Sequence, residues 1–142
     1  MKVRVVYTSH CRDTRLLAEA IAKQAKTMAE PIQSFHIDEP IDLLVIGFED
    51  FNPLKKDHEL EKFIASLSRE KVKNIALFNL FFFDNKQMEK AIDLCIKNDL
   101  PLMRETYSSK RKLTPQNRLT KETLEGGKLY IYDMITIINH YY

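Results

Sequence analysis

Tryptophan is absent from this chain of 142 residues, and glycine occurs only three times. None of those glycines lies between residues 8 and 14, so the turn there has to keep to a backbone that avoids φ > 0. Cysteine is nearly absent too. Cys11 and Cys95 share no metal-ligand spacing and make no disulfide framework, which fits a reducing compartment. His10, His36, His58 and His140 are scattered, with no Cys, Asp or Glu at a convincing metal spacing. An excess of one charge is also missing: 22 basic residues face 20 acidic ones, a net charge of +2, too little to imply nucleic acid as a partner. No apolar stretch approaches the ~20 residues of a membrane span, and no leader signature precedes the first strand. These absences set the expectation of a cytoplasmic protein that binds neither membrane nor nucleic acid.

What is present describes an ordinary globular chain, 44% apolar and 30% charged, expected to form a single domain over residues 1–142 with a core that needs no staples. Short β-branched and apolar runs predict strands at 2–7, 32–37, 43–48, 74–80 (prolonged into Phe81-Phe82-Phe83) and 100–107. Helical periodicity predicts a helix over 14–29, capped by Asp13 and stopped by Pro31, with Leu17, Ile21, Ala25 and Met28 on one face. A second helix is expected at 57–67, with Leu60, Phe63, Ile64 and Leu67 inward. A third opens at Asp84 or Asn85, with Met88, Ala91, Ile92, Cys95 and Ile96 as its stripe. After a long polar connection over 108–127, Ile131, Met134 or Ile135, and Ile138 line a terminal helix.

Strands alternating with helices predict an α/β fold, a mainly parallel, doubly wound sheet with helices on both faces. The link between the second and third strands is too short for a crossover helix. It is either a crossover reduced to coil or an antiparallel edge hairpin. Gly47, near the end of the third strand, lets backbone or ligand approach closely.

The order strand, polar turn, helix over residues 3–22 places backbone N–H groups at a helix start just beyond a buried strand. In an open parallel sheet that spot is an anion site, most often for a cofactor phosphate. Here the sequence resembles the flavodoxin-like family. Val-Val-Tyr-Thr-Ser-His-Cys-Arg-Asp-Thr with Leu-Leu-Ala-Glu-Ala-Ile-Ala is similar to the family's strand, phosphate loop and first helix. Asp-Leu-Leu-Val-Ile-Gly at 42–47, Asn-Ile-Ala-Leu-Phe at 74–78 and Tyr-Ser-Ser-Lys at 107–110 follow in the family's order. The family loop usually reads Ser/Thr-x-Thr-Gly-Asn-Thr. Ser9 and Thr14 match it, while Cys11, Arg12 and Asp13 replace the central threonine, glycine and asparagine.

The resemblance implies a five-stranded parallel sheet of order 2-1-3-4-5 and FMN as cofactor. It assigns the 5′-phosphate to Thr8, Ser9, His10, Cys11, Arg12, Asp13 and Thr14, with the hydroxyls donating and Arg12 available as a counter-ion. The alternative at this turn is a ligand-free helix start capped by Asp13. The resemblance assigns the flavin ring to Asp50, Phe51 and Asn52 in one loop, and to Asn79, Leu80, Phe81, Phe82 and Phe83 in the next. Strand alternation sends at least one of the three phenylalanines into the core. With Asn79 and Leu80 where the family has glycine and a small polar residue, the ring site is less polar, which disfavours an anionic reduced flavin.

Beside Arg12 at a helix start, Cys11 is placed either as a reactive thiol or as a small turn residue. Lys110, Arg111, Lys112, Arg118 and Lys121 make the long connection basic, either a solvated loop or a dock for an acidic partner. Tyr130, Tyr132, Tyr141 and Tyr142 flank the terminal helix, as core or contact surface. No nucleophile–base pair is evident. The leading expectation is an FMN-binding electron-transfer protein that donates to a partner reductase or oxidase. The alternatives are a flavodoxin-fold accessory subunit that has lost FMN, or a small NAD(P)H-dependent FMN or quinone reductase.

Overall fold

The computed structural model describes residues 1–8, 11–51, 57–111 and 119–141. Among them, five strands form one parallel sheet: β1 (Val3–Tyr7), β2 (Ala29–Pro31), β3 (Leu43–Asp50), β4 (Ile75–Phe81) and β5 (Tyr107–Lys110). Their order is β2-β1-β3-β4-β5, as expected. Helices α1 (Arg12–Gln24) and α4 (Lys121–Tyr141) cover one face; α2 (His58–Ala65) and α3 (Lys86–Lys97) cover the other. The central strands are buried on both faces, which is why they read as unbroken apolar runs. Val45 and Phe78 point toward Leu17, Ile21 and Ile131, whereas Leu44, Ile46 and Leu77 point toward Leu60, Ile64 and Met88.

Several boundaries differ from the sequence expectation. Helix α1 ends at Gln24, so Met28 is exposed and Pro31 belongs to β2. The stop is made by Lys26, which adopts φ 58°. Thr27 N–H donates to the Ala22 carbonyl at 2.9 Å and Lys26 N–H to that of Lys23 at 3.1 Å, a Schellman closure with lysine where glycine is usual. Residues Ile32–Ser34 form a 3₁₀ turn rather than a strand. Because β2 sits earlier than expected, the coil that returns to β3 has room for a parallel crossover, and the hairpin alternative is excluded.

Strand β5 starts where the expected one ended, with Leu102 making only an isolated bridge to Ile75. Helix α4 absorbs residues 121–127 of the expected polar connection. Thr120 opens it, its Oγ1 accepting from Thr123 N–H at 3.3 Å. Gly126 and Gly127 lie inside α4. A Cβ on Gly127 would stand 2.8 Å from Leu17 Cδ1, so the missing side chain lets α4 close onto α1.

Candidate functional site at the carboxyl edge of the sheet

The carboxyl ends of β1, β3, β4 and β5 bring together most of the residues singled out from the sequence. Ser9, His10, Asn52, Lys112 and Arg118 lie outside the described residues. Thr8 follows β1 directly, its N–H continuing the ladder to the Gly47 carbonyl at 3.0 Å. Cys11 is the N-cap of α1 with extended backbone and gives no side-chain cap. Asp13 is therefore not the cap expected of it. It lies in the first turn, buried, with its carboxylate held by Arg111. Arg12 is exposed.

Thr8 and Thr14 are both 0% exposed. Their hydroxyls converge on one atom. Thr8 Oγ1 donates to Glu49 Oε2 at 3.1 Å, and Thr14 Oγ1 donates to the same oxygen at 2.6 Å. The two hydroxyls expected to meet a phosphate therefore hold a carboxylate of the chain itself. Strand alternation puts Glu49 there: residues 43, 45, 47 and 49 of β3 face α1, and the register pairing Glu49 with Leu80 fixes its position. Gly47, on the same face, admits neither ligand nor backbone but the ring of Phe78, whose Cζ lies 2.1 Å from where a Cβ would be.

The ring-loop residues are also engaged with one another. Phe82 N–H donates to the Asp50 carbonyl at 3.3 Å and Arg111 N–H to that of Phe81 at 2.7 Å, so the loops after β3, β4 and β5 leave the sheet side by side. Phe51 and Phe82 then meet with ring centroids 4.6 Å apart. The Arg111 guanidinium lies 5.2 Å from each ring centroid while it holds Asp13. Asp50 is buried and serves α3, accepting from Gln87 N–H at 3.1 Å. That cap replaces the one expected from Asp84 or Asn85, since Asn85 is the N-cap without a side-chain cap bond.

Asn85 instead joins a closed ring of three side chains. Asn79 Nδ2 donates to Asn85 Oδ1 at 2.6 Å, Asn85 Nδ2 to Ser108 Oγ at 2.8 Å, and Ser108 Oγ to Asn79 Oδ1 at 2.8 Å. Leu80 is core. None of the three phenylalanines is, contrary to the alternation argument. Phe81 and Phe82 are half-buried and Phe83 is 80% exposed, because β4 ends at Phe81 and Leu80 already takes the last inward position.

Sequence reasoning missed Glu49, Asn85, Ser108 and the inward role of Arg111. The one available signal was Glu49, an acid on the tail of an otherwise apolar run. A ring inserted between Phe51 and Phe82 would need them at least about 7 Å apart, two carbon contact distances. A phosphate at Thr8 and Thr14 would meet the Glu49 carboxylate. With these groups where they stand, the described residues do not fit FMN in the position that the resemblance implies.

No protein-family model matches the chain, and no curated protein matches it. Solved structures do. A flavodoxin from the domain Archaea superposes with a TM-score of 0.78 at 20% identity, covering 99% of this chain and 100% of that one. Oxidised flavodoxin 2 from Bacillus cereus gives 0.74 at 14%, covering 96% and 99%. Rubredoxin oxygen:oxidoreductase from Desulfovibrio gigas gives 0.73 at 14%, covering 97% of this chain but 36% of that longer one. The chain has the flavodoxin-like fold. No helix among the described residues is long and apolar enough to cross a membrane.

Proposed function

We propose that this chain is a flavodoxin-fold accessory protein, a single cytoplasmic domain that acts by contact with a redox partner protein and carries no FMN between its carboxyl-edge loops. One observation carries the reading: the Phe51–Phe82 stack, with Arg111 above both rings and anchored on Asp13, joins the loops after β3, β4 and β5 to α1. The place where a ring would lie between two loops is taken by the loops' own side chains. Phe83, 80% exposed beside this assembly, gives the edge an apolar point for a partner to cover.

A second reading, an FMN-binding carrier that donates electrons to a partner reductase, has a specific observation in its favour. Two buried hydroxyls are trained on one anionic oxygen at a helix start, the arrangement a phosphate oxygen uses, and the likeness to flavodoxins spans nearly the whole chain. In that case the flavin supplies the redox chemistry and the protein supplies only position and electrostatics. The absorption spectrum of the purified protein and its effect on FMN fluorescence separate the two. A colourless protein that leaves FMN emission unchanged supports the accessory reading. A yellow protein, or one that quenches FMN with a dissociation constant of about a micromolar or less, supports the carrier.

A further inference from the structure

We infer that the Glu49 carboxylate is a built-in occupant of the point where the Thr8 and Thr14 hydroxyls meet at the start of α1, and that it makes this point reject phosphate monoesters which those hydroxyls would otherwise hold. The inference deepens the accessory reading and rests on it in one respect, that the phosphate position is closed as well as the ring position. Thr8 and Thr14 are wholly buried and donate to a single oxygen of Glu49. A buried hydroxyl left without an acceptor is costly, so this turn needs an anionic or polar oxygen at that point whether or not a ligand is present. Glu49 supplies it from within, held in place by the β3–β4 register and facing the start of α1, where the helix dipole favours negative charge.

Among the described residues, the neighbouring charges do not offset a second anion. Asp13 on α1 is another acid, and the Arg111 guanidinium that reaches this region from β5 is already engaged by it. Asp50, at the end of β3, turns away to the N–H of Gln87. Arg12 and Arg15 on the first turn of α1 are both exposed, and Arg15 faces Glu19. A phosphate entering the turn would have to displace Glu49 or lie against it, and like charges brought together in a partly desolvated site repel strongly.

Two substitutions separate charge from occupancy. Glu49→Gln keeps an oxygen for the hydroxyls and removes the charge; Glu49→Ala removes both. Far-UV circular dichroism checks that each variant folds, and either folded variant suffices. The probe is inorganic phosphate, read as a rise in melting temperature against chloride at the same ionic strength and as shifts of the Arg12, Asp13 and Thr14 amide resonances. The wild type is expected to show no phosphate-specific response. Glu49→Ala is expected to bind phosphate at least about tenfold more tightly than the wild type, with Glu49→Gln between them.

If phosphate acts equally on wild type and variants, or on none of them, Glu49 is not the excluding group and the inference is overturned. FMN added to the wild type decides the accessory reading separately. Tight FMN binding by the wild type that leaves the Arg12, Asp13 and Thr14 amide resonances unmoved overturns that reading alone, whereas FMN binding that shifts those resonances overturns the inference as well.

Discussion

A Cβ on Gly47 would fall 2.1 Å from Phe78 Cζ and within 2.7 Å of two further ring atoms, in the middle of a strand buried on both sides. The ring is large and enclosed, so it has nowhere to move. Gly47→Ala is expected to destabilise the fold by about 2–3 kcal/mol, the usual penalty for overpacking a core, seen as a lower urea midpoint with an unchanged slope. The role of Gly47 was half legible: its place at the end of an apolar run announced a close approach, but not that a phenylalanine ring makes it. Arg111 shows the opposite limit. In the sequence it sits in a basic run that reads as solvated, and only the juxtaposition of β5 with α1 turns it toward Asp13, Phe51 and Phe82. Residues 98 apart in sequence leave no local pattern behind.

Element existence was legible; element ends were not. The four helices and the strands β1, β3 and β4 stand where apolar periodicity put them, because burial on one or both faces writes that periodicity directly, whereas the edge strands β2 and β5 lie beside their expected segments. The end of α1 was missed because the residue in the left-handed position is lysine rather than glycine, and α3 closes in the same way on Asp99, with φ 53° and Leu100 N–H donating to the Cys95 carbonyl at 2.9 Å. A chain with three glycines uses ordinary residues at positions where backbone strain would favour glycine. Lys26 is exposed, so Lys26→Gly relieves that strain without removing a buried contact. The expected result is a gain of about 0.5–1 kcal/mol in equilibrium unfolding. An unchanged or lower stability would mean that the left-handed residue carries no strain. The start of α4 was hidden differently, by a polar first turn that reads as loop until Thr120 is recognised as its cap.

Across the whole molecule, burial resists ionisation of one thiol and two phenols. It pushes the Cys95 thiol up to about 11 from 9.0, and it raises the phenols of Tyr107 and Tyr130. In the unfolded chain Cys95 loses its proton near 9.0, whereas the folded protein holds it to about 11. Above pH 9 the unfolded state therefore binds fewer protons, and stability falls as pH rises through about 11. For Cys95 alone the loss is about 2–3 kcal/mol. Thermal melts between about pH 8 and 11 are expected to show a steady decline, with a shallower slope in Cys95→Ala; parallel slopes would place the alkaline sensitivity elsewhere.

The sheet order and the layer arrangement were the most legible features at this scale, since a resemblance carried by strand and helix order survives where the site residues have changed. The candidate site was the least legible. Glu49, Asn85, Ser108 and the inward turn of Arg111 went unread, because a hydroxyl, an amide or a ring in a loop reads the same whether its partner is a ligand or Glu49. The claim that these groups satisfy one another meets its most direct test in an amide NMR titration of the wild-type protein with FMN. Self-occupation of the edge predicts that Thr8, Thr14, Phe51, Phe82 and Arg111 keep their resonances through an excess of FMN. Saturable shifts confined to those residues would contradict it.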